Sequence, residues 1–452
     1  MTEPALNPKA EYLLQALSEG IEGGTLQQVR RMLNALHPAE IAHLLESLPP
    51  ARRELVWELV DPENDGEVLV HLGDEARASL VREMETGELL AALEGLDVDD
   101  LADFIQGLPD ALISEALEGM NKQDRLRLEA VLSYPEDTAG GLMNTDTVTV
   151  RADVSLDVVL RYLRRQGKIP DLTDSLIVVN RYDRYLGLLP LSELLTKEPD
   201  YTVAEVMDQS MEGIPARTPA TEVTKLFEDL DLISAPVIDD NGTLLGRITI
   251  DDVVDVIREE ADHSVLSRAG LNEDEDIFAP VLPSARRRAV WLGVNLLTAF
   301  LASWVIGQFQ DTLQQVVALA VLMPIVASMG GIAGSQTLTL VIRGLALGQV
   351  GKTNTRWLLS KEIAVGALNG LVWAAVVSLF AILWFRDLQI GGIIALALVL
   401  NLLAAALAGV IIPIVLRRLR IDPALAGGVV LTTVTDVVGF LAFLGLATAL
   451  LL

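Results

Sequence analysis

The feature that most constrains this chain is the uneven distribution of charge along it. Residues 283–452 contain 11 Lys or Arg and only 5 Asp or Glu, and they are rich in Leu, Ala, Val and Gly. The remaining 23 basic and 57 acidic residues give residues 1–282 a net charge of −34. This contrast predicts a strongly acidic soluble body followed by a membrane domain.

Five stretches of the second part have about the 20 apolar residues that a membrane-spanning helix needs. They are residues 289–306, 316–342, 363–385, 390–416 and 424–452. If the amino terminus is cytoplasmic, ten basic residues flank the spans on the cytoplasmic side and only Arg386 lies outside. The positive-inside rule therefore predicts this orientation, with the carboxyl terminus outside the cytoplasm. The start, MTEPALNPKAEYLL, lacks the features of a signal peptide, so we expect the acidic body to remain in the cytoplasm.

Composition argues against several other classes of protein. The chain has no Cys and its four His are not clustered in the sequence, so neither disulfides nor a thiolate or imidazole metal site is predicted. An acidic body is a poor partner for nucleic acid, which binds basic surfaces. The sequence shows no phosphate-binding loop, nucleophile elbow or metalloprotease motif, so we do not expect an enzyme.

Polar and small residues interrupt the apolar runs. The second stretch contains Pro324 and the sequence GGIAGSQ, and the fourth contains Asn401. In the fifth stretch, Gly428, Thr432, Asp436 and Gly439 recur at helical spacing and form one stripe. The glycines fit close helix packing as well as an ion pathway. Asp436 predicts a pathway or an ion site, because an acid near the bilayer midplane costs roughly 2.5–3.5 kcal/mol on insertion scales.

Two internal repeats organise the acidic body. The sequences LHPAEIAHLLESLPP (36–50) and LDVDDLADFIQGLPD (96–110) share a helical apolar pattern, which predicts an all-α superhelix. Residues 175–195 and 235–257 each follow the order strand, turn, strand, helix. This α+β pattern resembles tandem CBS domains, which are regulatory modules.

With these parts in order, the whole chain resembles the MgtE family of magnesium transporters. The most specific matches are DTAGGLM (137–143), GGIAGSQTLTLVIRGLA (330–346) and the pair DPAL and TTVTDVVG within 422–439. The resemblance implies an acidic superhelix (1–134), a CBS pair (135–257), a linking helix (258–284) and a five-helix transmembrane domain (285–452). It also implies a homodimer in the lipid bilayer with a pore on its two-fold axis, open to passive Mg²⁺ influx.

The resemblance places the pore acid at Asp436, so that two copies would face one ion. This agrees with the chemistry of Mg²⁺, which retains its waters and favours one or two carboxylates. The pore-lining residues that the resemblance implies are Pro324, Gly330, Gly331, Gly334, Ser335, Gln336, Asn401, Gly428, Thr432, Thr435 and Gly439.

Gating is the second property that the resemblance implies. When cytosolic Mg²⁺ is high, ions bridge acidic groups of the soluble part and hold the pore shut. The implied metal ligands are Glu67, Asp99, Asp103, Asp229, Asp239, Asp252, Asp255, Glu260 and Asp422, with a backbone contact from Gly141. Some relatives also bind ATP at the CBS pair, and the sequence leaves ATP binding open here.

The chain departs from the family pattern at several positions. His263 stands where an acid is expected, and Ile332, Ser335, Gly427 and Gly428 replace the more usual residues of the pore helices. We expect consequences for closure at His263 and for selectivity or pore hydration at the others. Three alternatives stay open: a broader pathway for Co²⁺, Mn²⁺ or Ni²⁺, a proton-coupled exchanger that uses Asp436, and a membrane-tethered sensor without transport.

Overall fold

The computed structural model describes residues 26–94, 98–106, 122–271, 276–351 and 353–452, and a few single positions between them. It contains two compact units. The first comprises residues 1–261 with 274–280, and the second comprises residues 262–273 with 281–452.

Short helices form the amino-terminal part of the first unit. They are α1 (Leu26–Leu33), α2 (Pro38–Glu46), α3 (Pro50–Trp57), α4 (Asp65–Val70), α5 (Asp74–Glu83), α6 (Thr86–Leu93), α7 (Val98–Gln106) and α8 (Lys122–Leu132). Pro38 and Pro50 occupy first helical positions, where the missing N–H of proline costs nothing. Apolar residues such as Leu33, Ile41 and Val68 form a continuous core. The prediction of a helical region is confirmed for the described residues.

Two three-stranded sheets follow, and each repeats the other. In the first, β1 (Thr149–Arg151) is parallel to β2 (Ser175–Val179), which is antiparallel to β3 (Tyr185–Pro190). In the second, β4 (Ile214–Pro215), β5 (Ser234–Ile238) and β6 (Leu244–Thr249) have the same order and directions. Both carry a register shift near the end of the middle strand, at Val178–Val179 and Val237–Ile238. This confirms the predicted pair of α+β repeats.

Helices surround these sheets and complete the first unit. They are α9 (Leu156–Gln166), α10 (Leu191–Thr196), α11 (Val203–Val206), α12 (Ala220–Leu230) and α13 (Ile250–Leu266), the last of which continues into the second unit. The core of the helical region runs into the second repeat through Ile214, Val237 and Ile248. Arg53, only 1% exposed, forms an ion pair of 2.7 Å with Asp276 and also donates to two backbone carbonyls.

Five long helices dominate the second unit: α14 (Val281–Gly307), α16 (Ala318–Ala346), α17 (Thr355–Phe385), α18 (Leu388–Arg418) and α19 (Pro423–Leu451). A short helix, α15 (Gln310–Gln315), precedes α16. All five are long and apolar enough to cross a membrane. Among the described residues this agrees with the predicted number of spans, and four of the five helices begin earlier than the apolar stretches do, whereas α16 begins two residues later. The first helix starts at Val281 and includes the three arginines 286–288, because a helix can extend past the apolar region into the interface.

The predicted linking helix, residues 258–284, is not one continuous helix among the described residues. Its first part belongs to α13, which ends at Leu266 and is followed by a 3₁₀ turn, Ser267–Ala269. Gly270 then adopts φ +72°, a left-handed conformation that ends the turn and that glycine tolerates without strain. Residues 276–280 are not helical, and α14 starts at Val281.

Candidate ion pathway and regulatory sites

Two adjacent helices of the second unit, α16 and α19, carry an outward polar face. Pro324, Ser335 and Gln336 of α16 are exposed, as are Gly428 and Thr432 of α19, and Asp436 is partly exposed. Ser328, which the sequence analysis missed, also lies on this face, one helical turn after Pro324. Polar groups are costly on a lipid-facing surface and mark a pathway or a packed partner.

Asp436 is the only charged residue of this face within the span of α19. Among the described residues, no hydrogen bond or ion pair reaches its carboxyl group. The hydroxyl groups nearby do not serve it, because Thr432 donates to the carbonyl of Gly428 at 2.9 Å and Thr435 donates to the carbonyl of Thr432 at 3.1 Å. Within the described part of the chain, the carboxylate of Asp436 is therefore without a side-chain partner.

Five predicted pore residues lie between helices instead of on the outward face. Gly330, Gly334, Asn401, Thr435 and Gly439 are buried. A side chain at Gly334 would lie 2.8 Å from Leu431, so the glycine permits close approach of α16 and α19. The burial of Gly330, Gly334 and Gly439 agrees with the close helix packing that the sequence left open for the glycines, and pore lining by these five residues stays a prediction. Gly331 is partly exposed and stays compatible with the prediction.

Asn401, at mid-length of α18, is completely buried where α16, α18 and α19 meet. Its Nδ2 donates to the carbonyl of Val326 at 2.9 Å. Its Oδ1 is also buried and has no hydrogen-bond partner in the described structure.

A second polar junction joins α16, α17 and α18, and the sequence analysis did not find it. Glu362 of α17 is 4% exposed, accepts a hydrogen bond of 3.0 Å from the Thr337 hydroxyl and forms an ion pair of 2.6 Å with Lys361. Thr337 packs against Gly409, where an added Cβ would lie 2.8 Å from the threonine. An acid within an apolar helix was the available signal, but its partner lies 25 residues away and only the fold brings the two together.

The predicted metal ligands of the first unit are dispersed. Glu67, Asp229, Asp255 and Glu260 are exposed on helices. The side chains of Asp99 and Asp103, both in α7, lie outside the described residues. Within the part of the chain that is described, no three His, Asp or Glu side chains are grouped closely enough to hold a metal ion together.

Two of the predicted ligands have local structural roles. Asp239 accepts backbone hydrogen bonds from Thr243 and Asn241 in the turn between β5 and β6, and these bonds lower its pKa. Asp252 accepts from the backbone and hydroxyl groups of Thr249 at 3.2 and 3.1 Å, as expected at the start of a helix. Helix capping and turn formation therefore account for these two acids without an ion.

Gly141, the predicted backbone ligand, lies in a tight turn of the DTAGGLM segment. An added Cβ would lie 2.6 Å from the carbonyl of Pro135 and 2.7 Å from that of Glu136. Only glycine fits this close approach of backbone segments.

Asp255 and His71 belong to α13 and the end of α4, and both have shifted pKa values. Desolvation by the surrounding protein raises the pKa of Asp255 although its surface is exposed, and Arg258 and His71 oppose the shift. Partial burial lowers the pKa of His71, although Asp255 opposes it. The rings of His71 and His37 lie 6.5 Å apart, so two histidines that the sequence separates are neighbours in the fold.

Asp422 caps the start of α19 and also meets a histidine. Its carboxylate accepts from the backbone N–H groups of Ala424 and Leu425 at 2.9 and 3.1 Å. His263 places Nε2 3.2 Å from Asp422 Oδ2. The residue that replaces the expected acid thus contacts one of the predicted ligands directly.

A cleft of about 220 Å³ opens between the two α+β repeats. Asn144, Lys168, Asp171, Arg247, Thr249 and Asp252 are among its lining residues. Arg247 is 7% exposed and donates to the carbonyl of Asp171 at 2.7 Å and to the Thr173 hydroxyl at 3.2 Å. Its Nε atom is buried without a partner among the described residues.

Comparison with protein families identifies three parts of the chain. Residues 323–446 match the MgtE family, described as a divalent cation transporter. Residues 36–137 match the MgtE intracellular N domain, and residues 139–200 and 203–259 match CBS domains.

Individual relatives extend the match over the whole chain. A magnesium transporter MgtE of Thermus thermophilus is 32% identical over 98% of this chain and 99% of its own length. The magnesium transporter MgtE of Bacillus subtilis is 28% identical over 95% of both chains. A solved cytosolic domain of the Mg²⁺ channel MgtE in complex with ATP shares 32% identity, with a TM-score of 0.50, and covers 54% of this chain and 99% of that structure. The chain therefore belongs to the MgtE family of magnesium transporters, membrane proteins with CBS regulatory domains.

Proposed function

We propose that this protein is a passive Mg²⁺ influx pathway of the cytoplasmic membrane, formed by a homodimer and closed by cytosolic Mg²⁺. The observation that carries the proposal is Asp436, which lies partly exposed on a polar face and has no partner in the described protomer. A two-fold axis against this face would bring a second Asp436 opposite the first. Two carboxylates then balance one hydrated divalent ion, which suits the slow dehydration of Mg²⁺.

The direct test is Mg²⁺ flux into proteoliposomes with Asp436→Asn. We expect flux to fall by roughly a hundredfold, equal to about 2.7 kcal/mol, because the ion loses both carboxylates. Asp311→Asn is the matched control, since Asp311 is an exposed acid of α15 outside the polar face. Wild-type flux in the folded Asp436→Asn protein would remove Asp436 from the pathway.

The dimer is tested by cross-linking, which the absence of cysteine makes simple. Thr432→Cys introduces a thiol on the polar face, and Leu383→Cys introduces one on the 71% exposed surface of α17. We expect oxidation in the membrane to link two Thr432→Cys protomers and to leave Leu383→Cys monomeric. Equal cross-linking of the two variants would contradict an interface at the polar face.

Closure by Mg²⁺ is attributed to the acidic first unit. Like charges at close range repel unless counterions neutralise them, and the net charge of −34 provides this repulsion. Mg²⁺ needs only one or two carboxylates and its own waters, so dispersed acids such as Glu67, Asp229, Asp255 and Glu260 are suitable. Flux measured against cytosolic-side Mg²⁺ should show closure in the full chain and none in a chain that lacks residues 1–261.

Orientation follows the arginines and lysines at the ends of the spans. With the amino terminus in the cytoplasm, ten of the eleven basic residues of positions 283–452 flank the spans on the cytoplasmic side and only Arg386 lies outside. The positive-inside rule favours this orientation, with the carboxyl terminus outside. Accessibility of single cysteines at Ser284 and Leu452 to a membrane-impermeant thiol reagent tests this topology.

A broader divalent pathway is the second candidate, favoured by the family description as a divalent cation transporter. The polar face offers oxygen donors and no His or Cys, which disfavours a site specialised for softer metals without blocking their passage. Uptake of Mg²⁺ in competition with Co²⁺, Mn²⁺ and Ni²⁺ separates the two candidates.

The cleft between the CBS repeats is proposed to bind ATP. The buried Arg247 with its unpartnered Nε and the hydroxyl of Thr249 give the cleft hydrogen-bonding groups for a polar ligand. Lys168, exposed at its rim, is placed to meet a phosphate. Binding of ATP to the full chain should weaken in Lys168→Ala and stay unchanged in Lys197→Ala, a lysine that does not line the cleft.

A further inference from the structure

Asp436 owes its position to the backbone of α19, because no described side chain holds its carboxylate. One of the tertiary contacts of α19 near Asp436 is made by Gly439, which follows after about 4.5 Å of helical rise. Gly439 packs directly on the amide of Asn401, where an added Cβ would lie 2.7 Å from Nδ2. The environment of Asn401 therefore determines where this part of α19 lies.

The same amide contacts α16 from the opposite direction. An added Cβ at Gly330 would lie 2.3 Å from Asn401 Nδ2, and that nitrogen donates to the carbonyl of Val326 on the same helix. One side chain of α18 thus contacts both helices of the polar face about one turn from the pore acid, beside the direct contact of Gly439 with Val326.

Packing does not explain why this residue is an asparagine. Its buried Oδ1 has no partner in the described structure, and an unsatisfied buried acceptor is destabilising. A leucine has a similar shape and avoids this cost. The amide must therefore contribute something other than stability.

We propose that Asn401 is a positioning residue, whose amide sets the separation of α16 and α19 and thereby aligns Asp436 with the hydrated ion. This inference rests on the proposed function of Asp436. Its consequence is a division of roles, in which Asp436 attracts the cation and Asn401 controls which hydrated cation fits.

The test is Asn401→Leu, with Asn369→Leu as the matched control on the exposed surface of α17. Three quantities are measured in proteoliposomes or detergent: Mg²⁺ flux, the ratio of Mg²⁺ to Mn²⁺ flux, and the thermal midpoint. We expect Asn401→Leu to keep or raise the midpoint, lose about tenfold in Mg²⁺ flux and show a reduced Mg²⁺ preference. A merely structural asparagine would lower the midpoint and leave the flux ratio of the remaining folded protein unchanged.

A second variant keeps the test decisive if Asn401→Leu does not fold. Gly439→Ala presses on the same amide from α19, and Gly445→Ala is its control because nothing lies within 4 Å of that position. A wild-type flux ratio in folded Gly439→Ala would then overturn the positioning role. Asp436→Asn, assayed beside these variants, separates the two proposals: wild-type flux in Asp436→Asn removes the pathway, whereas its loss together with wild-type selectivity in Asn401→Leu removes only the role of Asn401.

Discussion

Glu362 of α17 and Asp436 of α19 are the only acids within the five long apolar helices, and they differ in burial and in the partners of their carboxyl groups. Glu362 is almost completely buried and receives a hydroxyl donor from Thr337 and an ammonium donor from Lys361. Asp436 is more exposed and receives neither in the described structure. A buried charge needs partners. The described contacts supply them for Glu362 and supply none for Asp436.

The largest expected effect comes from making the same amide substitution at both acids. Asp436→Asn should reduce Mg²⁺ flux by roughly a hundredfold without loss of stability. Glu362→Gln should keep flux close to that of the wild type, because the amide still accepts from Thr337, but lower the free energy of unfolding by about 1–2 kcal/mol as the ion pair is lost. Flux in proteoliposomes and thermal midpoints in detergent measure the two quantities. Loss of stability in Asp436→Asn together with loss of flux in Glu362→Gln would contradict the different roles of the two acids.

A third acid, Asp65, extends the comparison to the first unit. Its charged neighbours are other acids and not partners of opposite charge. Burial, together with Glu88 and Asp61, raises the pKa of Asp65 to about 6. Between the unfolded value near 3.8 and pH 6 the folded state binds more protons than the unfolded state, so this group's contribution to stability falls as pH rises through that window. Asp65→Asn, which resembles the protonated form, should therefore stabilise the protein at pH 7 by on the order of 1 kcal/mol, with the gain vanishing near pH 4.

The measurement uses residues 1–280, in which Trp57 is the only tryptophan and reports unfolding by fluorescence. The cytosolic domain of an MgtE relative has been solved as a separate structure, which supports this choice. Glu54→Gln, at an exposed position of α3, is the control and should show no such pH-dependent gain. A gain in Asp65→Asn that is the same at pH 4 and pH 7 would show that charge repulsion is not its cause.

The smallest effect is expected at Asp422, an acid that does have a histidine neighbour. When His263 is protonated, its charge offsets that of Asp422 at 3.2 Å, and cation attraction at this end of α19 weakens. Closure by cytosolic Mg²⁺ should therefore need about threefold more Mg²⁺ at pH 6 than at pH 8, a modest change because both side chains are more than a third exposed to water. His263→Gln should flatten this profile and His43→Gln, an exposed surface histidine, should not. An unchanged profile in His263→Gln would exclude the pair as its origin.

Sequence periodicity predicted what depends on local pattern. The five candidate spans and the repeated α+β units follow from runs of apolar residues and from strand and turn signals. The cost of an acid in a membrane singled out Asp436, whose role stays a prediction. The register shift repeated at Val178 and Val237 shows how closely the two CBS units agree.

Tertiary contacts explain what the sequence could not predict. Gly330 was predicted to line the pore from the family resemblance, and Gly439 because it shares a helical stripe with Asp436. Neither pattern says which neighbouring helix covers the glycine. Asn401, from a third helix, covers both. For the same reason Thr337 and Glu362 escaped notice, since neither has a partner until α16 and α17 pack together.

Pro324 leaves a backbone carbonyl of α16 without its helical hydrogen bond, which complicates the interpretation of an alanine substitution at this position. Proline has no N–H, so the carbonyl of Ala320, four residues earlier in α16, lacks its usual helical donor. Alanine substitution removes side-chain atoms at most positions of this helix, but at Pro324 it also adds a backbone hydrogen-bond donor, which then occupies the carbonyl of Ala320. A loss of transport in Pro324→Ala would therefore report on the carbonyl of Ala320, a group that no side-chain substitution at residue 320 can remove.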